Sequence, residues 1–505
     1  MPGYGLDGAW GAFERSAALF EGLVEEMAGP AYAALTHAEL ERHVEDRGRE
    51  LLRQLFQDHA DLRAVREERV AEVTGADGVE RTRTECGHAR TLATKFGDVT
   101  ITRLAYRALG AGNLHPADAV WNLPAGKHSH GLVELAVREM VRGSFESAQE
   151  AIVRATGQRI GKRQIENMAV AAAVDIADFY TGRRPEAADA GTLLVLTADG
   201  KGVVMRPEAL REATARAAAT STGKLATRLS PGEKNGRKRM AELACVYDCE
   251  PVIRTVSDVI TRPGAPRPAA RNRPRATGKW LTASLSRDVP DVIADAFAEA
   301  ARRDPGHART WVVLVDGNRH QIEAIQAQAG HHNVKVHILI DFIHVAEYVW
   351  KAAWSFFDKG DPDAEDWVAD RLRRILAGDA RQVAAGIRRR ATTYNFTGSE
   401  RAGADQAAAY LSNNADHLAY DTALAAGWPI STGVIEGACR WLVKDRMDIT
   451  GARWGLAGAE AILQLRALIN NADFDTYWRF HLGREHDRNH LARHRQHQND
   501  YTLAA

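Results

Sequence analysis

Two short apolar runs, Leu193–Ala198 and Trp311–Val315, each stop at an aspartate, Asp199 and Asp316. Apolar runs of this length without alternation have no side to turn to water, so each reads as a strand buried on both faces. Such a sheet needs helices to cover it, which confines this part of the chain to an α/β architecture. The flanking pattern agrees, with strands at 240–247 and 252–259, helices at 289–303 and 321–328 on either side of the Asp316 strand, and a strand at 334–340. Gly200-Lys201-Gly202 follows Asp199 and Gly317-Asn318 follows Asp316, so both acids stand where a strand gives way to a turn. Taken alone, each is also an ordinary strand-end residue.

The rest of the chain divides by pattern. Residues 1–75 carry apolar positions at helical spacing with many charges and form a helical region, a candidate dimer surface. The linker region 76–135 holds alternating segments on either side of Gly97-Asp98, which predicts a β-hairpin. Within 136–188, a short amphipathic helix at 145–155, the turn Thr156-Gly157-Gln158 and a second helix at 160–170 make a helix-turn-helix pattern. On that second helix Gln164 and Asn167 have the chemistry to pair with adenine edges, while Lys162 and Arg163 have the chemistry to hold phosphates. A plain helical hairpin would carry the same signature. Residues 189–350 form the first part of the α/β core, 351–427 a helical insertion, 428–475 the return to the core, and 476–505 a basic tail rich in His and Arg.

Composition bounds function less than charge distribution does. Lys plus Arg and Asp plus Glu each number 66 in 505 residues, so the zero net charge offers no argument for nucleic acid. From Thr261 to Arg287 there is no acid, yet Arg262, Arg267, Arg271, Arg273, Arg275, Lys279 and Arg287 occur among prolines, which predicts a mobile basic arm. Lys234, Arg237, Lys238 and Arg239 form a second cluster. Solvated loops would look the same. The four cysteines, Cys86, Cys245, Cys249 and Cys439, are too few for a disulfide framework and predict a reducing compartment. Cys245 and Cys249 lie on one face of a strand and read as buried thiols. With no apolar stretch of roughly 20 residues and no signal-peptide pattern, a cytoplasmic location without membrane contact is expected.

A third acid completes the constellation. Glu436 lies in the first turn of a predicted helix in which Ile435, Cys439 and Leu442 make an apolar stripe and Glu436, Arg440 and Lys444 share an adjacent face. By itself it is also a first-turn acid favoured by the helix dipole, or the partner of Arg440. Together, three carboxylates on separate elements suit Mg²⁺, which prefers oxygen ligands, and two such ions activate a nucleophile and stabilise a leaving alkoxide in phosphodiester cleavage.

Three stretches, Leu196-Thr197-Ala198-Asp199-Gly200-Lys201-Gly202-Val203, Val315-Asp316-Gly317-Asn318 and the run from Gly433 to Met447, resemble the DDE-type transposases of bacterial insertion sequences, specifically the Kra-type branch, with a more distant likeness to the Mutator-like group. The resemblance spans roughly 91–471. It implies a ribonuclease H-like catalytic core interrupted by an all-helical insertion, with Asp199, Asp316 and Glu436 as catalytic ligands of two Mg²⁺ or Mn²⁺ ions. It implies binding to the double-stranded terminal inverted repeats of the element and to target DNA, strand cleavage and strand transfer, a homodimer or larger synaptic assembly, and a nucleoid location when bound. Lys201, Arg440 and Lys444 would then face DNA. Asp341 and His344 resemble a signature of the Mutator-like relatives near the active site, and Trp441 is a candidate base-stacking residue or a packing residue. Relatives often carry a zinc-ribbon-like element, but Cys86-Gly87-His88 lacks a second ligand pair nearby and Leu114-His115-Pro116 supplies none, so a structural zinc is not expected. A structure-selective nuclease or resolvase, and a non-catalytic DNA-binding regulator derived from a transposase, are the rival expectations.

Overall fold

The computed structural model describes residues 11–185, 188–220, 236–261, 273–449 and 451–493. Two units are present, one comprising Met1–Phe179 with Phe474–Ala505 and the other Tyr180–Asp473.

In the first unit the helix Glu14–Ala28 packs along the longer helix His37–Arg66, which Thr36 and Glu39 start with a reciprocal capping box. Asp58, fully buried, joins the two by accepting the Ser16 N–H at 3.0 Å and its hydroxyl at 2.6 Å. Strands β1 (Arg83–Thr94) and β2 (Gly97–Arg107) form the expected hairpin, with its turn displaced from the expected position. Gly97 pairs with Thr94 and Asp98 with Ala93, so Lys95-Phe96 make the turn. Leu92, Val99 and Ile101 from this hairpin bury against Ala60 and Leu123.

Helices His130–Arg142, Phe145–Thr156 and Lys162–Ala173 follow and pack on one another through Ala136, Met140, Ile152, Ile165 and Ala169, all essentially inaccessible. Ser144 caps the middle helix, and Gly157, at φ 71°, ends it in a left-handed conformation that favours glycine. The expected tail at 476–505 is instead helical as far as Asn489, within the helix Phe474–Asn489. Its apolar residues make it part of this unit: Tyr477 and Trp478 are buried, and the Tyr477 hydroxyl donates to the Ala172 carbonyl at 2.6 Å. Residues 494–505 lie outside the described residues.

The second unit is built on a mixed sheet of β3 (Leu193–Val204), β4 (Lys238–Cys249), β5 (Ala276–Ser284), β6 (Trp311–Val315) and β7 (Val336–Ile340), in the order β5-β4-β3-β6-β7. β3, β4 and β5 are antiparallel neighbours, while β3, β6 and β7 run parallel. The parallel pair β6–β7 is joined through the helix Arg319–His331. Every residue of β6 is buried, and each such aliphatic side chain contributes about 1.5–3 kcal/mol. Thr282 and Asp248 meet the helix Val289–Arg303, through Asp295 at 3.4 Å and Arg303 at 2.9 Å. Helices Gly433–Cys439 and Leu456–Asn470 also pack on the antiparallel strands. Between β7 and the first of these come helices Phe342–Ala353, Pro362–Leu376, Ala380–Thr393, Gly398–Asn413 and Tyr420–Ala425.

Two strand expectations need correction. The segment 252–259 is not a strand: Thr255 and Asp258 cap a single helical turn, Val256–Val259. The third antiparallel strand is β5, which lies inside the segment expected to be a mobile arm. Trp280, Leu281 and Ala283 are buried there, and pairing with β4 supplies the order that local composition does not. Arg262, Arg267, Arg271 and Lys234 lie outside the described residues. Cys245 and Cys249 are buried free thiols, pushed up to about 12 and about 11 by burial. Among the described residues no helix is long and apolar enough to cross a membrane.

Candidate functional site

Asp199 does not end its strand. β3 continues to Val204 because β4 pairs with it down to Lys238, whereas the parallel partner β6 stops at Val315. The last paired rung between β3 and β6 joins Thr197 to Leu314, and two residues beyond it on each chain stand Asp199 and Asp316. The parallel register therefore brings both acids to the same end of the β3–β6 pair, just past its last rung.

Local turns hold each carboxylate. Asp199 Oδ1 accepts the Gly200 N–H at 2.7 Å, and Asp316 Oδ1 accepts the Asn318 N–H at 2.8 Å. After Asp316 the chain must turn away sharply, and Gly317 does so at φ 91°, where an added Cβ would sit 2.9 Å from the Tyr410 hydroxyl. That hydroxyl donates to the Asp316 carbonyl at 2.8 Å, and the Tyr410 ring stacks on Tyr348 at 3.8 Å. Helices from beyond β7 thus support the backbone of Asp316.

The glutamate helix reaches the same place through a residue that sequence reasoning assigned only to its apolar stripe. The Cys439 thiol donates to Asp199 Oδ2 at 3.2 Å. Burial first, then the charge of Asp199, pushes this thiol far up, so it stays protonated and serves as a donor. Glu436 lies one turn earlier, and its Oε1 accepts from the Thr432 hydroxyl at 3.2 Å. That hydroxyl also lies 2.8 Å from Oδ2 of Asp341. Asp341 is fully buried, caps the helix Phe342–Ala353 through the Ile343 N–H at 3.0 Å, and donates its own N–H to the Val315 carbonyl at 2.7 Å. One further acid was missed altogether: burial, with Asp199 nearby, raises the carboxyl of Glu242 on β4. Its one legible signal was a lone acid within the run 240–247.

Among the described residues, no group of three His, Cys, Asp or Glu side chains is gathered closely enough to hold a metal ion. The Asp199 and Asp316 pair by itself fits the chemistry of Mg²⁺, which takes one or two carboxylates and keeps several waters. Glu436 is held by Thr432 and does not close a three-carboxylate set with them.

The expected cationic face is altered. The helix is α-helical to Cys439 and then widens into a π turn over Arg440–Lys444, so Arg440, whose N–H still bonds the Glu436 carbonyl, keeps to the row that Glu436 begins while Lys444 leaves it. Arg440 is well exposed and approaches Asp445, five residues on, at 3.9 Å. Lys444 and Lys201 are exposed. Trp441 is half-buried beneath the Arg466 guanidinium, 4.2 Å from its ring centre, which is a packing role. His344 is partly exposed and meets Glu347 at 3.4 Å.

In the first unit Lys162, Arg163, Gln164 and Asn167 lie on the helix Lys162–Ala173, all four exposed. Lys162 contacts Glu146 at 2.8 Å and Arg163 contacts Glu166 at 3.0 Å, surface pairs of small energy that a phosphate could displace. Gln164 accepts the Gly161 N–H at 3.1 Å. Gln164 and Asn167 also border an open cavity of about 470 Å³ with Lys127, His128 and Trp478. Near the hairpin, His88 and His115 meet at 2.9 Å between ring nitrogens, a proximity that their separation in sequence concealed. No third ligand joins them among the described residues.

No model of a known protein family matches the chain, and no curated protein sequence matches it.

Proposed function

We propose that the chain is a DDE-type DNA transposase that cleaves and joins DNA strands with a divalent metal. The observation that carries this reading is the pair Asp199 and Asp316, at the same end of two adjacent parallel strands, with the Glu436 helix tied to Asp199 through Cys439. A sheet in which the first and fourth strands of the unit are neighbours supports a ribonuclease H-like core, because that adjacency unites acids 117 positions apart in sequence (316 minus 199). The helices between β7 and Glu436 support the reading of a helical insertion.

Mg²⁺ held by this pair would supply Lewis acidity to a scissile phosphate and lower the pKa of an attacking water or 3′-hydroxyl. The protein's own share is positional. Cys439 and the Gly200 N–H fix the Asp199 carboxylate from two sides, Tyr410 and Asn318 fix Asp316, and Thr432 orients Glu436. Exposed Lys201, Arg440 and Lys444 would bind neighbouring phosphates. The three-helix arrangement in the first unit supports recognition of terminal repeats through Arg163, Gln164 and Asn167. Exposed Phe20, Val24 and Met27, at helical spacing on Glu14–Ala28, support self-association.

Asp199→Asn should retain binding to the terminal repeats and lose Mg²⁺- or Mn²⁺-dependent nicking. Undiminished nicking by that variant defeats the assignment. A resolvase-like nuclease would cut without joining, so strand transfer from pre-nicked ends separates the two activities. Among the described residues no third ligand joins the pair, and the second reading is a non-catalytic DNA-binding regulator, for which the wild type would bind repeats and never nick them.

A further inference from the structure

A polar cavity of about 220 Å³ in the first unit lies between the hairpin, the segment 113–125 and the end of the C-terminal helical segment. Its lining includes three guanidinium groups, Arg90, Arg103 and Arg493, with His115, and a single carboxylate, Asp118. Asp118 is already committed to Arg103, at 2.5 Å. Arg90 is held in place by the carbonyls of Pro124 and Gly126, at 2.9 and 2.6 Å, which orient it without neutralising it. Glu67 does not line the cavity; it accepts the Leu104 N–H at 2.9 Å and lies near both Arg103 and Arg63. Three positive charges in the lining against one negative leave an excess of about two, with Arg103 buried and Arg493 open to solvent at the rim.

We propose that this cavity binds a dianionic phosphate group, either inorganic phosphate or the terminal phosphate of a nucleic-acid strand. Charge decides the class: a phosphate monoester carries about −1.5 to −2 at neutral pH, which answers the excess, and guanidinium forks match its oxygens. Shape decides against an internal phosphodiester, since a recess admits a terminal group more readily than the middle of a continuous backbone. His115 in the same lining is pushed down to about 4, by burial first and then by the nearby Arg103, His88, Arg90 and Arg493. The inference does not rest on the transposase reading.

Full-length protein is titrated with inorganic phosphate against chloride at matched ionic strength, by calorimetry and thermal melting. The wild type should show saturable phosphate binding. Two variants test the cavity without removing a structural contact: Arg493→Gln removes a side chain that is exposed, and Asn113→Asp adds a carboxylate to the lining at nearly constant shape. Each should weaken phosphate binding at least tenfold. Duplexes with and without a 5′-phosphate then distinguish the sources. Tighter binding of the phosphorylated duplex, competed by inorganic phosphate, assigns the strand terminus; equal binding of both duplexes assigns free phosphate. No saturable response beyond chloride, or an equal response in wild type and both variants, overturns the proposal.

Discussion

Replacing Asp341 with alanine should loosen the helix Phe342–Ala353 and release Thr432, and the magnitude follows from the hydrogen bonds that the aspartate makes. The carboxylate is fully buried and accepts two of them, from the Ile343 N–H at 3.0 Å and the Thr432 hydroxyl at 2.8 Å. Loss of an N-cap acceptor costs about 1 kcal/mol. Loss of a hydrogen bond to a charged group costs about 1.5–3 kcal/mol. Thr432 has one hydroxyl proton, and without Asp341 it turns to Glu436 at 3.2 Å, which recovers part of the second term. The net expectation is roughly 2–3 kcal/mol, or about 30- to 150-fold faster exchange of the amides in that helix by the usual 1.4 kcal/mol per tenfold. Hydrogen exchange read peptide by peptide is the suitable assay, because a chain of two units need not unfold in a single step. Helix Phe145–Thr156 in the other unit serves as the internal control and should not change. Asp341→Asn keeps the capping oxygen and should cost less than half as much. Acceleration below about threefold in Asp341→Ala, or equal acceleration in the control helix, would refute this account of Asp341 as the tie between β7 and the glutamate helix.

Two pH dependences follow from the first unit. His115 titrates near 4 in the folded protein against about 6.5 unfolded, so its contribution is fully present above pH 6.5 and is lost as pH falls toward 4; burial is the main cause, with the surrounding Arg103, His88, Arg90 and Arg493. An NMR titration of the ring should show that low midpoint, and His115→Gln should flatten stability across this window. Burial acts to raise the Asp175 carboxyl, but hydrogen bonds from Arg488 at 2.6 and 2.8 Å and from His481 at 2.7 Å outweigh it and hold it below the usual carboxylate value. Its contribution is therefore present above about pH 4 and lost as pH falls through the lower folded value. Asp175→Asn should weaken the docking of the C-terminal helix at neutral pH and make acid unfolding shallower, and an unchanged acid-unfolding curve by circular dichroism would contradict that.

Sequence alone determined the features that depend on near neighbours. The apolar runs of β3 and β6, the amphipathic helix Val289–Arg303, the Gly157 turn between the paired helices and the buried thiols of β4 all follow from periodicity and turn chemistry, which act within one or two turns of chain. Tertiary structure decided whatever required a distant partner. β5 is ordered by pairing with β4 although its own composition reads as a basic loop, and Asp199 sits within a strand rather than at its end because its two neighbours stop at different rungs. The Cys439 thiol on Asp199, the Thr432 hydroxyl between Asp341 and Glu436, and the cluster of Arg90, Arg103 and Arg493 join residues far apart in sequence. Hydrogen bonds and fixed charges act over a few ångströms in space, so no local pattern encodes them until the sheet order has brought their carriers together.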